Sequence, residues 1–152
     1  MTQRKTESPD DPLAVRDAAL RLLGRRDHST RELCQKLCQR GFEAALVDQA
    51  VAELVDAGLH SEQRFAESYA RMRANKAYGP VRIRAELVER GVDRHLISLA
   101  LDALDIDFAE QARRFYERKY RTAAASYQEK ARRNQSMARR GFTADQIKRL
   151  MV

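Results

Sequence analysis

A chain of 152 residues can hold one medium domain or several small units, and at this length neither a disulfide nor a cofactor is needed for a core. Its composition, 43% hydrophobic and 34% charged with six Gly and three Pro, favours helix. The net charge of +7 points to an acidic partner, while the lack of any apolar run of about 18 residues, or of an apolar stretch behind a basic start, excludes a spanning helix and a secretory leader and sets the expectation of a cytoplasmic protein with no membrane partner.

Residues 1–10, MTQRKTESPD, have the composition of a disordered tail. Pro12 opens a helix that runs to about Arg25. Ser29 and Glu32 have the spacing of a capping box for a second helix ending at Gly41, and a third helix runs from about Glu43 to Ala57 with Gly58 as its stop. A second set begins at Ser61, breaks at Tyr78 and Gly79, restarts with Pro80 in a first helical turn and stops at Gly91, after which Asp93 caps another helix. A third set starts near Asp107 and ends with a short helix capped by Thr143 and Gln146. The expected units are residues 11–58, 59–105 and 106–152, with about nine helices and no strand.

These units are copies of one pattern. RGF at Arg40–Phe42 returns as RGV at Arg90–Val92 and RGF at Arg140–Phe142, at an unbroken period of 50. Leu37, Leu87 and Met137 precede the glycine by four; Val47, Ile97 and Ile147 follow it by six. Ala50, Ala100 and Leu150, then Val51, Leu101 and Met151, extend the stripe, and upstream Val15, Phe65 and Phe115 match, as do Leu22 and Met72. Gly41, Gly91 and Gly141 are read as structural glycines, left-handed residues closing each middle helix. The expected architecture is all-α: three tandem three-helix repeats in an elongated, curved, solenoid-like array of helix-turn-helix-like units.

No chemistry-bearing motif accompanies the repeat. Phosphate-binding glycine loops, H-E-x-x-H and G-x-S-x-G are absent, and acid pairs such as Glu86 and Glu89 sit among arginines without an apolar pocket. Cys34 and Cys38, one helical turn apart, lack histidine partners at ligand spacing and read as two small buried apolar residues. No enzyme, metal or cofactor is expected.

Charge is unevenly spread. Residues 1–50 hold nine Lys/Arg against eight Asp/Glu, residues 51–100 eight against seven, and residues 101–152 twelve against seven. A base-reading helix-turn-helix is disfavoured, because residues 41–63 contain no Lys or Arg and carry Glu43, Asp48, Glu53 and Asp56. Cations gather elsewhere: Arg71, Arg73 and Lys76; Arg82, Arg84 and Arg90; Arg113, Arg114, Arg118, Lys119 and Arg121; Arg132 and Arg133, followed by Arg139 and Arg140. Contact with nucleic acid should therefore be to backbone charge, weak, indifferent to sequence, and open to single and double strands. Charge alone also supports a second reading, a nonspecific nucleic-acid-binding helical-repeat protein.

The chain resembles the RecX family, regulators of the RecA recombinase, from about Leu13 onward. The resemblance is carried by RDHSTRELCQKLCQRGF, by VDQAVAELVDAGLHSEQRFAESYARMRANKAYGPVRIRAELVERGV and by MARRGFTADQIKRLM. One departure is Ser61, Glu62 and Gln63, where the family usually has an acidic pair before Phe-Ala. The resemblance implies a non-catalytic monomer that lodges in the helical groove of the RecA filament on DNA and inhibits its ATPase, strand-exchange and coprotease activities. The thirteen cations named above as far as Arg133 are then the candidates for meeting filament or DNA.

Overall fold

The structure, a computed structural model, describes residues 9–151; residues 1–8 of the expected tail lie outside the described residues, as does the side chain of Met151. Among the described residues there are nine α-helices and no strand. They are α1 (Pro12–Arg25), α2 (Thr30–Gln39), α3 (Ala44–Asp56), α4 (Glu62–Asn75), α5 (Pro80–Glu89), α6 (Arg94–Asp102), α7 (Phe108–Lys119), α8 (Tyr127–Arg140) and α9 (Ala144–Lys148), followed by a 3-10 turn at Arg149–Met151.

Short polar side chains start most of these helices by accepting an orphan amide. Asp11 accepts from the Leu13 amide, Asp93 from His95 and Asp107 from Ala109 and Glu110. Thr143 and Gln146 form the full reciprocal box. At α2 Ser29 accepts from the Glu32 amide, but the Glu32 carboxylate is taken by Arg26 at 3.0 Å and Arg90 at 3.3 Å. An ion pair therefore replaces half of the expected box.

The RG-apolar signature is a helix stop built from its own chain. Gly41, Gly91 and Gly141 have φ of +96°, +82° and +103°, a region costly to any residue with a Cβ. Around the first, the Gly41 amide donates to the Cys38 carbonyl and the Phe42 amide reaches back to Leu37; Gly141 and Phe142 repeat this with Ala138 and Met137. This six-to-one closure brings the residue after glycine onto the residue four before it. That is why Phe42 and Phe142 are buried beneath their turns; Val92 is buried as well.

The helices divide between two compact units. The first comprises Met1–Ala66 with Arg90–Val92. Its α3 packs on α1 and α2 around Val15, Leu22, Leu33, Leu37, Val47 and Leu54. The second comprises Glu67–Glu89 with Asp93–Val152. There α5 packs on α6, and α9 packs on α7 and α8 over Ala112, Met137, Phe142 and Ile147. The heptad-like positions Leu37, Leu87, Met137, Val47 and Ile97 are fully buried, so truncation of any to Ala should cost about 2–5 kcal/mol.

Several expected core positions lie elsewhere. Cys34 is only half-buried and Cys38 is exposed, because Leu33 and Leu37 occupy the inward line of α2 and each cysteine sits one residue further round. Met72 is 44% exposed where its counterpart Leu22 is buried. On α7 the fully buried residue is Ala112; Phe115 packs half-exposed against the core edge. Leu101 and Leu150 are likewise half-buried. Arg121 lies beyond α7, whose cap is Tyr120 in extended conformation, so it does not continue the face of Arg114 and Arg118.

Candidate basic interface

The second unit carries most of the candidate cations, and it sorts them into structural and free ones. At its centre is Tyr78, between α4 and α5. The Arg73 guanidinium lies 3.7 Å from the Tyr78 ring centroid, Arg140 3.8 Å and Arg82 4.7 Å, so three cations surround one aromatic face system. The Arg140 charge leads in pulling the Tyr78 hydroxyl below its ordinary pKa, with Arg73 and Arg82 adding to it.

Glu86 offsets this concentration of charge. It accepts from the Tyr69 hydroxyl at 2.6 Å, from both Nε and Nη2 of Arg73 at 2.9 and 2.8 Å, and from Arg82 Nε at 3.1 Å. Burial opposes its ionisation, but these donors outweigh burial and hold its pKa below the usual carboxylate value. Arg140 also closes the end of α4: its Nε donates to the Ala77 carbonyl at 2.9 Å and its Nη2 to that of Lys76. Ala77 itself sits at φ +63°, a left-handed stop without a glycine.

The backbone is equally close here. The amides of Gly79 and Val81 donate to the carbonyls of Arg140 and Gly141 at 3.0 and 2.9 Å, so the α8–α9 turn caps the start of α5. A Cβ on Gly79 would run into the backbone of Gly141 and Phe142.

A second internal cation is Arg133, only 6% exposed. Its Nη1 donates to the Tyr116 hydroxyl at 3.2 Å and the Thr122 carbonyl at 2.9 Å, and its Nη2 to Glu129 at 2.8 Å. It ties α7, the following loop and α8 together, and its guanidinium lies 4.4 Å from the Tyr120 ring. Arg90 belongs to the first unit, paired with Glu32. Arg73, Arg90 and Arg133 thus have internal partners.

The other candidates face outward. Arg113 and Arg114 are exposed but share Glu110, at 2.7 and 3.2 Å. Lys119 reaches Ser136 at 2.9 Å, and Arg84 reaches Ser98 at 3.2 Å. Arg82 is exposed on one side while holding Glu86 on the other. Arg71, Lys76, Arg118, Arg121 and Arg132 carry exposed side chains with no ion pair among the described residues. These five are the candidates left without an ion pair.

Sequence reasoning overlooked Tyr78 and Arg140 as the centre of the cluster. The signal available was the Tyr-Gly-Pro break between two arginine-rich helices, where a lone aromatic is flanked by cations on both sides.

Comparison with known proteins gives a consistent result. Three family models match in order: the RecX first three-helix domain over residues 16–54, the second over residues 61–101 and the third over residues 105–151. The regulatory protein RecX of Halorhodospira halophila is 46% identical over 136 residues, covering 89% of this chain and 84% of that one. That of Pseudomonas savastanoi pv. phaseolicola is 43% identical over 143 residues, covering 93% and 92%. The crystal structure of RecX from Lactobacillus salivarius superposes with a TM-score of 0.80 over 95% of this chain and 96% of that one, at 23% identity, a likeness of fold. With three successive domain matches spanning most of its length and full-length relatives above 40% identity, the chain belongs to the RecX family of regulatory proteins.

Proposed function

We propose that this protein is a negative regulator of RecA that binds in the groove of the RecA–DNA filament and inhibits its ATPase, strand-exchange and coprotease activities. It acts by binding rather than by catalysis, as a monomer in the cytoplasm, and it touches DNA weakly and without sequence preference. The observation that carries the reading is a group of exposed cations without ion pairs on the second unit, among them Arg71, Lys76, Arg118, Arg121 and Arg132, in a chain of a regulatory family. Exposed charge with no partner of its own is disposed to meet a polyanion, and it supplies steering as well as affinity. Among the described residues no group of His, Cys, Asp and Glu could hold a metal ion, and no helix is long and apolar enough to cross a membrane.

The test is RecA's DNA-dependent ATPase at protein concentrations too low to coat bare DNA. Inhibition there supports a filament-directed regulator. Inhibition only at concentrations that saturate the DNA would instead favour the nonspecific nucleic-acid-binding reading, which rests on the same surface charge.

A further inference from the structure

The second unit also carries an apolar groove of about 590 Å³ between α8 and α9. Tyr127, Ala131, Asn134 and Ala138 lie along one line of α8 at spacings of four, three and four, which places them on one face. The two alanines leave the floor open, while Phe142 and Ile147 form the wall. Tyr127 stands 86% exposed at one end. Lys130 and Lys148 line the groove, both exposed, and no acidic side chain does. Asn134, half-buried in the groove lining, keeps its Oδ1 buried with no hydrogen-bond donor among the described residues.

We propose that this groove docks an acidic peptide segment of a partner protein bearing one or two large apolar side chains. Each element of that description answers one of the groove's features. The apolar side chains fill the floor over Ala131 and Ala138. Flanking carboxylates meet Lys130 and Lys148. Other occupants fit worse. Residues 1–8 of this chain carry Arg4 and Lys5 against Glu7, the wrong sign for a lysine rim. A second copy docking groove to groove would bring the same lysines together. Single-stranded nucleic acid needs exposed ring faces for its bases, but Phe142 is buried and only Tyr127 offers one. The inference stands apart from the RecA reading, since it concerns a different face chemistry and a synthetic probe.

The probe is a fluorescein-labelled octapeptide, EDELFEDE, with three comparators: EDESSEDE, KKKLFKKK and a dodecamer of thymidylate. Fluorescence anisotropy with the full-length protein should show saturable binding of EDELFEDE and at least tenfold weaker binding of the other two peptides. Lys130→Glu combined with Lys148→Glu should weaken EDELFEDE at least tenfold with an unchanged far-UV spectrum. Ala138→Trp, which fills the floor without altering charge, should do the same. In ¹⁵N-labelled protein the Asn134 side-chain amide should shift on titration. No saturable binding of EDELFEDE, equal binding of the serine or lysine peptide, or affinity within twofold in both variants would overturn the proposal. So would displacement of the peptide by the thymidylate dodecamer with the Asn134 amide shifting for the DNA alone, which would assign the groove to nucleic acid.

Discussion

Individual residues are held here by close backbone contact and by neutral histidines as well as by charge. Gly79 is the tightest position, since a Cβ added there would meet the Gly141 carbonyl and the Phe142 amide, backbone groups that cannot swing away. Gly79→Ala should therefore destabilise by more than about 3 kcal/mol in urea unfolding, beyond ordinary overpacking. Gly41→Ala, left-handed but with open space around its Cβ, should cost only about 1–2 kcal/mol. In the first unit His28 is buried, with Nδ1 2.9 Å from the Arg26 carbonyl and Nε2 3.1 Å from the Lys36 ammonium. The ring is thus neutral, a donor at Nδ1 and an acceptor at Nε2. Burial, then the charges of Arg26 and Lys36, push its pKa below the ordinary 6.5; burial pushes His60 the same way. An unfolded chain takes up these protons before the folded one does. Stability present above pH 6.5 should consequently fall as pH drops through the region below it. Melting temperatures measured from pH 7.5 downward should show this decline, and a His28→Gln, His60→Gln double variant should show a flatter slope.

Helix starts and stops were legible in the sequence because they use neighbours in the chain. Ser29, Asp93, Asp107 and Thr143 cap within three residues, and the RG-apolar turns at Gly41 and Gly141 close on their own helices. The alternation of buried residues at Leu37, Leu87 and Met137 follows from the same local geometry. What the 50-residue period does not determine is which other helix covers a given position. Met72 and Phe115 keep the register of Leu22 and Phe65 yet lack their burial, since the repeats do not all meet the same neighbours. Cys34 and Cys38 were misplaced for a simpler reason: two other apolar residues, Leu33 and Leu37, already filled the inward line. The Tyr78 cluster was hidden because Arg140 reaches it from a distant helix, and no local pattern announces that pairing. At the level of helix pairs, Arg133 is the joint between α7 and α8. Arg133→Lys keeps the charge but loses the planar fork that serves Tyr116, Thr122 and Glu129 at once, and should cost about 1–3 kcal/mol by urea denaturation.

For the whole molecule the useful division is between cations that hold the fold and cations left over. Arg71→Glu, Arg118→Glu and Arg132→Glu together should leave the far-UV spectrum and melting nearly unchanged, since surface substitutions away from partners stay within about 0.5 kcal/mol each. Inhibition of RecA ATPase should fall more than tenfold. Binding to single-stranded DNA should lose salt dependence, by about 0.7 in log–log slope for each phosphate contact removed. Unchanged inhibition by a folded triple variant would move the contact surface to Lys76, Arg82, Arg84 and Arg114. The pairing of Gly79 and Val81 with the carbonyls of Arg140 and Gly141 also bears on how the chain acquires its structure during synthesis. The first unit is complete once Val92 has left the ribosome, but the second begins at Glu67 and its α5 amides wait for a turn made some sixty residues later. Until then Tyr78 has Arg73 and Arg82 beside it and no Arg140, and the carbonyls that end α4 have no guanidinium donating to them. A nascent chain stalled at residue 130 should accordingly resist protease across α1–α3 while being cut between α4 and α5, and both segments should become resistant together when the last helix emerges.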